Sequence, residues 1–297
     1  MAHVAMQGNS EVKQKTGSLS MQKRVGTVLG YIALVLLGFF FLFPTIAMIV
    51  LSLQADETSI TQDMGTIWMF IPRAISFQNY TDVFERVDFP LAFGNSVLIV
   101  GSTIVIGLFV NSLIAYSLSR LKWSGRDLML GVVVALMIIP FEAIAVPLLR
   151  VVNVFGWLNS YHVQIIPFIA DAFSIFLFYQ FFIGIPVELE EAALVDGASR
   201  FRIYWQIIVP LSLPVFSTVA ILQFIFKWGM LLWPLMVTRG PEFMPLPLAM
   251  NTLYGQAPFL WGDRFAFAAL MTLPTLAIFL IFQRWFVQSV ASSGVKG

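Results

Sequence analysis

The fold is decided by the segment LAFGNSVLIVGSTIVIGLFVNSLIAYSLS, residues Leu91–Ser119, which contains no Asp, Glu, Lys or Arg. Because a helix needs about 20 consecutive apolar residues to cross the hydrocarbon core of a bilayer, this segment predicts a membrane-spanning helix. The whole chain has the same character: 59% of its 297 residues are hydrophobic and only 11% are charged, and its mean hydropathy is +0.86. Soluble domains carry about 25% charged residues. The composition therefore excludes a soluble enzyme, a nucleic-acid-binding protein and a disordered chain, and it predicts an all-α polytopic membrane protein.

Six segments are long and apolar enough to cross a membrane. The predicted spans are Gly26–Leu53, Leu91–Ser119, Leu128–Val152, Val163–Ile185, Leu211–Val237 and Phe265–Val287. Pro44 interrupts the first of them, and membrane helices tolerate such a proline where neighbouring groups satisfy the backbone. The chain then divides into an N-terminal tail (residues 1–25), a transmembrane domain (residues 26–290) and a C-terminal tail (residues 291–297).

The distribution of basic residues predicts the orientation. Eleven of the seventeen Lys and Arg residues lie in the N-terminal tail, the loop between spans two and three, the loop between spans four and five, and the C-terminal end, which includes Arg284 and Lys296. Five lie at the other side of the spans, and Lys227 falls inside span five. Since cytoplasmic loops carry the excess of basic residues, both termini are predicted to be cytoplasmic.

Residues for metal or nucleophile chemistry are scarce. The chain has no Cys, and His3 and His162 lie far apart without a carboxylate-rich neighbourhood. No Gly-x-x-x-x-Gly-Lys-Ser/Thr phosphate-binding loop occurs either. The sequence therefore predicts no catalytic residue, no metal site and no cofactor bound by this chain.

One loop on the predicted cytoplasmic side is long and charged: PVELEEAALVDGASRFRIYWQIIVP, residues 186–210. Pro186 suits the first turn of a helix, and the three acids that follow within five residues favour the same positive end. Gly197 favours a left-handed C-terminal cap for that helix. A second short helix is predicted from Arg200 to about Ile208, ending at Pro210.

Two short helices at an angle suit insertion into a cleft on a cytoplasmic partner. The alternative is an amphipathic helix that rests on lipid. Acidic side chains are repelled by an anionic leaflet, so docking into a partner is favoured over resting on lipid.

The same loop resembles the EAA signature of ABC-importer permeases, whose pattern is Glu-Ala-Ala, three residues, Gly, nine residues, Ile, any residue, Leu and Pro. The matching positions are Glu191, Ala192, Ala193, Gly197, Ile207 and Pro210. Val209 stands where Leu is usual. Further stretches resemble the MalG-like permeases of carbohydrate ABC importers, and the resemblance covers nearly all of the chain after about Val25. These stretches are Asn95-Ser96, Ala115–Arg120, Ile139–Glu142, Gln283–Val287 and Gly294–Gly297.

This resemblance implies a function and a set of partners. The chain would be one of two unlike permeases in a bacterial inner membrane, beside a MalF-like subunit. A homodimeric ATPase, which binds ATP and Mg, would lie beneath the pair, and a periplasmic or lipid-anchored solute-binding protein would dock above. Lipid surrounds the spans, and no nucleic acid is involved. The implied ATPase contacts are Glu191, Ala192, Ala193, Asp196, Gly197, Ile207 and Pro210 in the loop, with Lys296 and Gly297 in the tail.

Three ionisable residues lie within the predicted spans: Glu142, Asp171 and Lys227. Each is costly at bilayer depth, by at least about 2.5–3.5 kcal/mol at the centre, so a position in the bundle interior or in a watery cavity is expected. A buried Lys needs an anion. That anion is either one of the two acids or a carboxylate or phosphate on the substrate; alternatively, the Lys227 ammonium snorkels to the interface.

The neighbourhood of Lys227 departs from the family pattern. Gly229 and Met230 stand where these permeases commonly have Asn and an acid, and this departure favours an acidic, uronate-type saccharide over a neutral one. Trp228 and Trp233 could stack on sugar rings, although packing between helices is the commoner use of such residues. The candidates for the substrate pathway are Lys227, Trp228, Glu142, Asp171, Gly229 and Trp233.

The sequence therefore favours a non-catalytic permease that moves an oligosaccharide by alternating access coupled to ATP hydrolysis in a separate subunit. One alternative is a permease for another small polar solute, such as a sugar phosphate. A secondary active carrier is the other, and it would need internal repeats and interrupted helices. No clear repeat is visible, and the EAA loop would then have no purpose.

Overall fold

The computed structural model describes the backbone of residues 2–294 and the side chains of residues 26–281. Within those residues it contains helices and turns but no strand, apart from one isolated bridge between Gln54 and Ile75. The helices are α1 (Ala2–Ser52), α2 (Glu57–Asp63), α3 (Gln78–Arg86), α4 (Phe89–Arg120), α5 (Arg126–Leu136), α6 (Phe141–Val154), α7 (Tyr161–Ile165), α8 (Ala172–Ile183), α9 (Glu188–Val195), α10 (Arg200–Ile203), α11 (Val209–Leu211), α12 (Leu213–Trp228), α13 (Leu232–Val237), α14 (Leu246–Tyr254) and α15 (Trp261–Gly294). The all-α prediction is confirmed.

Four helical stretches in the described part of the chain are long and apolar enough to cross a membrane: Gly26–Ser52, Phe89–Arg120, Tyr161–Ile183 and Trp261–Ile281. They correspond to predicted spans one, two, four and six. Two sharply bent helix pairs bring the number to six if each pair is counted as one span. Lys296 and Gly297 lie outside the described residues.

Predicted span three consists of two helices rather than one. Helix α5 ends at Leu136, α6 begins at Phe141, and the two are bent by 106°. Pro140 stands between them in an extended conformation, with φ −68° and ψ 143°. Proline has no N–H and disfavours the helical conformation of the residue before it, so Pro140 favours a break at this position.

Predicted span five, Leu211–Val237, is also not one continuous helix. Helix α12 ends at Trp228, and α13 begins only at Leu232. Gly229 gives the break a flexible backbone, and Pro234 cannot donate the hydrogen bond that would join the two segments. At the other end, the helix predicted to end at Pro210 continues through π-helical residues 204–208 into α11. Pro210 lies in the first turn of α11, where no N–H is needed.

Helix α4 binds two non-helical segments, the one before α14 and the one before α8, through side-chain hydrogen bonds to their backbones. The amide of Asn95 donates to the carbonyls of Glu242 and Met244, both at 3.0 Å. The amide of Asn111 donates to the carbonyl of Ile169 at 3.0 Å, and its oxygen accepts from the backbone N–H of Asp171 at 2.9 Å. These bonds satisfy backbone groups that have no partner within a helix.

Close packing accompanies these bonds. A Cβ added at Gly107 of α4 would lie 3.1 Å from the carbonyl oxygen of Ile169. A side chain there would therefore push α4 away from the turn between α7 and α8.

The end of the molecule that carries α2, α3 and α14 is held by buried charges. Asp263 is ion-paired with Arg86 and is fully buried. Arg264, which is 1% exposed, donates to the carbonyls of Leu253, Tyr254 and Leu260 at 3.2, 3.1 and 2.6 Å. Its guanidinium also lies 3.4 Å from the ring centroid of Phe259.

We expect Arg264→Ala to destabilise the protein, because three buried carbonyls lose their donor at about 1–3 kcal/mol for each unsatisfied group. The midpoint of thermal unfolding in detergent should fall by at least about 4 °C. Arg239→Ala removes an exposed arginine near the same end and should leave the midpoint within about 1 °C. Equal midpoints for the two variants would contradict the structural role of Arg264.

Candidate functional site

The loop at residues 186–210 folds as two short helices joined at a tight turn. Gly197 has φ +77°, in the left-handed region. The N–H of Gly197 donates to the carbonyl of Leu194 at 3.0 Å, and that of Ala198 donates to the carbonyl of Ala193 at 2.9 Å. This pair of bonds is the Schellman motif, which caps α9 and lets the chain change direction. The hydroxyl of Ser199 then caps α10 by accepting from the N–H of Arg202 at 3.3 Å. The predicted helix–turn–helix is confirmed.

The predicted contact residues of the loop divide into an exposed edge and an inner face. Glu191, Ala192, Asp196, Gly197 and Pro210 are exposed. Val195 lies on the same edge with 88% of its surface exposed, although it is apolar.

Ala193 and Ile207, the other two predicted contact residues, are half-buried. Both pack against a core cluster that includes Phe182, Ile203 and Tyr204. The helix hairpin thus keeps Glu191, Ala192 and Asp196 outside while Ala193 and Ile207 pack against the bundle.

Glu190 behaves differently from its neighbour Glu191, and no sequence signal indicates this difference. Its side chain is 2% exposed and forms ion pairs with Arg120 and Arg200. Successive residues on a helix point about 100° apart, so one of two adjacent acids can face inward while the other faces outward. In the sequence, its partner Arg120 at the end of α4 is only one of the basic residues that predict the orientation in the membrane.

A cavity of about 630 Å³ lies between α5, α6, α8 and α12. Its polar wall consists of Asp171, Gln223 and Lys227, and most of its other lining residues are apolar. Of the six residues predicted for the substrate pathway, Asp171 and Lys227 are therefore on one cavity wall. Glu142 is exposed in the first turn of α6 and does not line this cavity.

Lys227 makes no ion pair with an acid among residues 26–281. Its ammonium nitrogen lies 4.8 Å from the ring centroid of Phe168, close enough for a cation–π contact. The Asp171 carboxylate instead caps α8 by accepting from the N–H of Ser174 at 2.7 Å, and it accepts from the amide of Gln223 at 2.8 Å. The pairing of Lys227 with Asp171 or Glu142 that the sequence allowed is therefore not formed.

The two tryptophans predicted near the pathway are packed between helices. Trp228 is 4% exposed, stacks on Phe224 and donates to the carbonyl of Met271 at 3.0 Å. Trp233 is 1% exposed and donates to the carbonyl of Val163 at 2.8 Å. Gly229 is exposed at the break after α12.

Residues 103–292 match the family described as the binding-protein-dependent transport system inner membrane component. The chain belongs to this family. Among the relatives of this permease is the arabinooligosaccharides transport system permease protein AraQ of Bacillus subtilis. It is 31% identical over 88% of this chain and 93% of its own length. The trehalose transport system permease protein SugB of Mycobacterium tuberculosis is 33% identical over 84% of this chain and 90% of its own length.

The permease also resembles a chain in the crystal structure of a bacterial ABC transporter involved in the import of the acidic polysaccharide alginate. The TM-score is 0.78 at 22% identity, and the match covers 89% of the permease and 97% of that chain. At this identity the match shows a common fold. The predicted fold of an ABC-importer permease and the predicted membership among carbohydrate importer permeases are confirmed.

We expect Gly197→Val to impair transport, because a β-branched residue at φ +77° is strained by about 1–2 kcal/mol although no atom obstructs its side chain. Sugar uptake by the assembled transporter in proteoliposomes should fall at least about five-fold. Gly197→Asn is the matched control and should keep most of the activity, since Asn tolerates this conformation and Asn159 already adopts φ 53° in this chain. Equal uptake by the two variants would show that the backbone of Gly197 is unimportant.

Proposed function

We propose that this permease is the non-catalytic transmembrane subunit of an importer that moves an oligosaccharide into a bacterial cell. Alternating access of its cavity is coupled to ATP hydrolysis in a homodimeric ATPase, which binds the ATP and Mg. A second, MalF-like permease completes the pathway, and a periplasmic or lipid-anchored solute-binding protein delivers the sugar. The observation that carries the proposal is the exposed edge of the 186–210 hairpin, where Glu191, Ala192 and Asp196 face outward from a rigidly capped helix.

This arrangement suits a docking edge. Small residues permit close approach of a partner backbone, and the Glu191 carboxylate offers an acceptor to basic or backbone donors of the ATPase. Both termini are then cytoplasmic, as the distribution of basic residues predicts. Lys296 and Gly297 of the C-terminal tail are proposed to contact the same ATPase.

The substrate is proposed to be acidic, of the uronate type. Support comes from Lys227, which lines the 630 Å³ cavity and forms no salt bridge with an acid among residues 26–281. A partly buried cation attracts an anion strongly, and Asp171, on the same cavity wall, is held by hydrogen bonds from Ser174 and Gln223 to its Oδ1 rather than by an ion pair with Lys227. The second candidate substrate, a sugar phosphate, is supported by the same Lys227 ammonium, because an ammonium donates hydrogen bonds to phosphate as readily as to carboxylate.

Glu191→Ala tests the ATPase contact. We expect sugar uptake to fall at least about ten-fold in proteoliposomes while the complex still assembles and hydrolyses ATP, because the lost carboxylate uncouples the two steps. Glu85→Ala, which removes an exposed acid from α3, should leave the ratio of uptake to hydrolysis unchanged. Wild-type uptake by Glu191→Ala would remove the support for the coupling role.

Lys227→Met tests the substrate class, because Met keeps the apolar stem and removes the charge. Uptake of an unsaturated uronate oligomer should fall about ten-fold or more, since a hydrogen bond to a charged group contributes about 1.5–3 kcal/mol. Uptake of a neutral oligosaccharide should change by less than about two-fold. Lys122→Met removes an exposed cation elsewhere and should change neither.

The competing outcomes are distinct. Loss of sugar-phosphate uptake alone would favour the second candidate. Retention of every substrate by Lys227→Met would show that Lys227 has no part in recognition.

A further inference from the structure

The carboxylate of Glu190, on α9, contacts side chains of α4 and α10. Its Oε1 is 3.2 Å from Nε of Arg120, and its Oε2 is 3.7 Å from Nη1 of Arg200. The hydroxyl of Tyr116 donates to Oε2 at 3.4 Å. The first contact is electrostatic, because neither Nε of Arg120 nor Oε1 of Glu190 has a hydrogen-bond partner among the described residues.

Arg120 carries the connection onward to α8. Its side chain is 7% exposed, and its Nη2 donates to the carbonyls of Phe182 and Ile185, the latter at 2.5 Å. The last carbonyls of a helix lack partners within the helix and need such donors. Arg120 therefore connects the end of α4 with the end of α8 and with α9.

A second connection runs beside the first. The hydroxyl of Tyr204, in the π-helical turn after α10, is 2.7 Å from that of Ser112 on α4. Tyr116 donates also to the carbonyl of Arg200 at 3.4 Å. Both helices of the hairpin are thus tied to α4.

The covalent connection between α8 and α9 restricts the movement of α9 much less than these contacts do. Four residues, 184–187, lie between Ile183 and Glu188. The backbone dihedrals of these residues can rotate, apart from the φ of Pro186, which its ring fixes, so the chain alone would let α9 rock under a load. The buried ion pair resists that motion, because separating two buried charges leaves each of them without compensation.

We propose that Glu190 is a positioning residue that clamps α9 to the ends of α4 and α8, so that the three move as one body. The proposal rests on the proposed function of the 186–210 hairpin as the ATPase contact. Movement imposed on the exposed edge then reaches the cavity directly, since the other end of α8 carries Asp171 and Ala172 on the cavity wall. In this arrangement the outward-facing Glu191 contacts the ATPase, and the ion pairs of Glu190 transmit the movement of α9 to α4 and α8.

The test uses the complete importer in proteoliposomes, with sugar uptake and ATP hydrolysis measured on the same preparation and scaled to the amount of assembled complex. Glu190→Gln should lower the uptake per ATP hydrolysed about five-fold or more. Loss of folded complex alone would lower both activities in proportion and leave this ratio unchanged. Asp127→Asn is the matched control, because it neutralises the carboxylate of an ion pair whose acid is 84% exposed.

A double variant distinguishes a charge pair from two independent effects. Arg120→Gln should also lower the ratio, and Arg120→Gln combined with Glu190→Gln should be no worse than Arg120→Gln alone, because the pair is already lost. If Glu190→Gln does not assemble, Arg200→Gln removes a weaker, half-exposed contact and should lower the ratio by a smaller factor.

An unchanged ratio in every assembled variant would overturn the clamp. The result remains separable from the proposed function. If Glu191→Ala uncouples the transporter and Glu190→Gln does not, the hairpin is the ATPase contact and only the clamp is wrong. If neither variant changes the ratio, the coupling role itself is wrong.

Discussion

Polar groups of interrupted helices must find partners inside the protein, because a bilayer core supplies none. In this permease α4 supplies them. Asn95 satisfies the segment before α14, Asn111 satisfies the turn before α8, and Arg120 satisfies the end of α8. These donors lie at three depths along one long helix. The segments before α14 and before α8, and the end of α8 beside the hairpin, are therefore held by one regular element.

The same constraint explains which parts of the fold could be predicted from the sequence. Continuous spans such as Phe89–Arg120 follow from the length of an apolar run, and the hairpin turn follows from Gly197. The breaks do not follow from proline alone, since α1 and α15 run through Pro44 and Pro274 while the chain turns sharply at Pro140. Whether a helix breaks depends on tertiary partners for the freed backbone groups, and sequence spacing does not contain them.

The candidate site shows a similar division. The exposed edge of the hairpin could be predicted because its motif is local. The inward turn of Glu190 could not, because its partner Arg120 is about seventy residues away along the chain. The cavity wall was predicted in part: Asp171 and Lys227 share it, but Asp171 is engaged as the cap of α8, and the role of Gln223 as its partner gave no sequence signal.

The three anchoring side chains of α4 bind main-chain carbonyls, which every residue possesses. The segments that receive those bonds can therefore change their side chains during evolution without losing their anchorage, provided that the backbone path is kept. The donor positions cannot change their side chains as freely, since Asn95, Asn111 and Arg120 each act through a side-chain N–H group. Related permeases can thus diversify the residues that meet the sugar while a few fixed positions on one helix preserve the architecture.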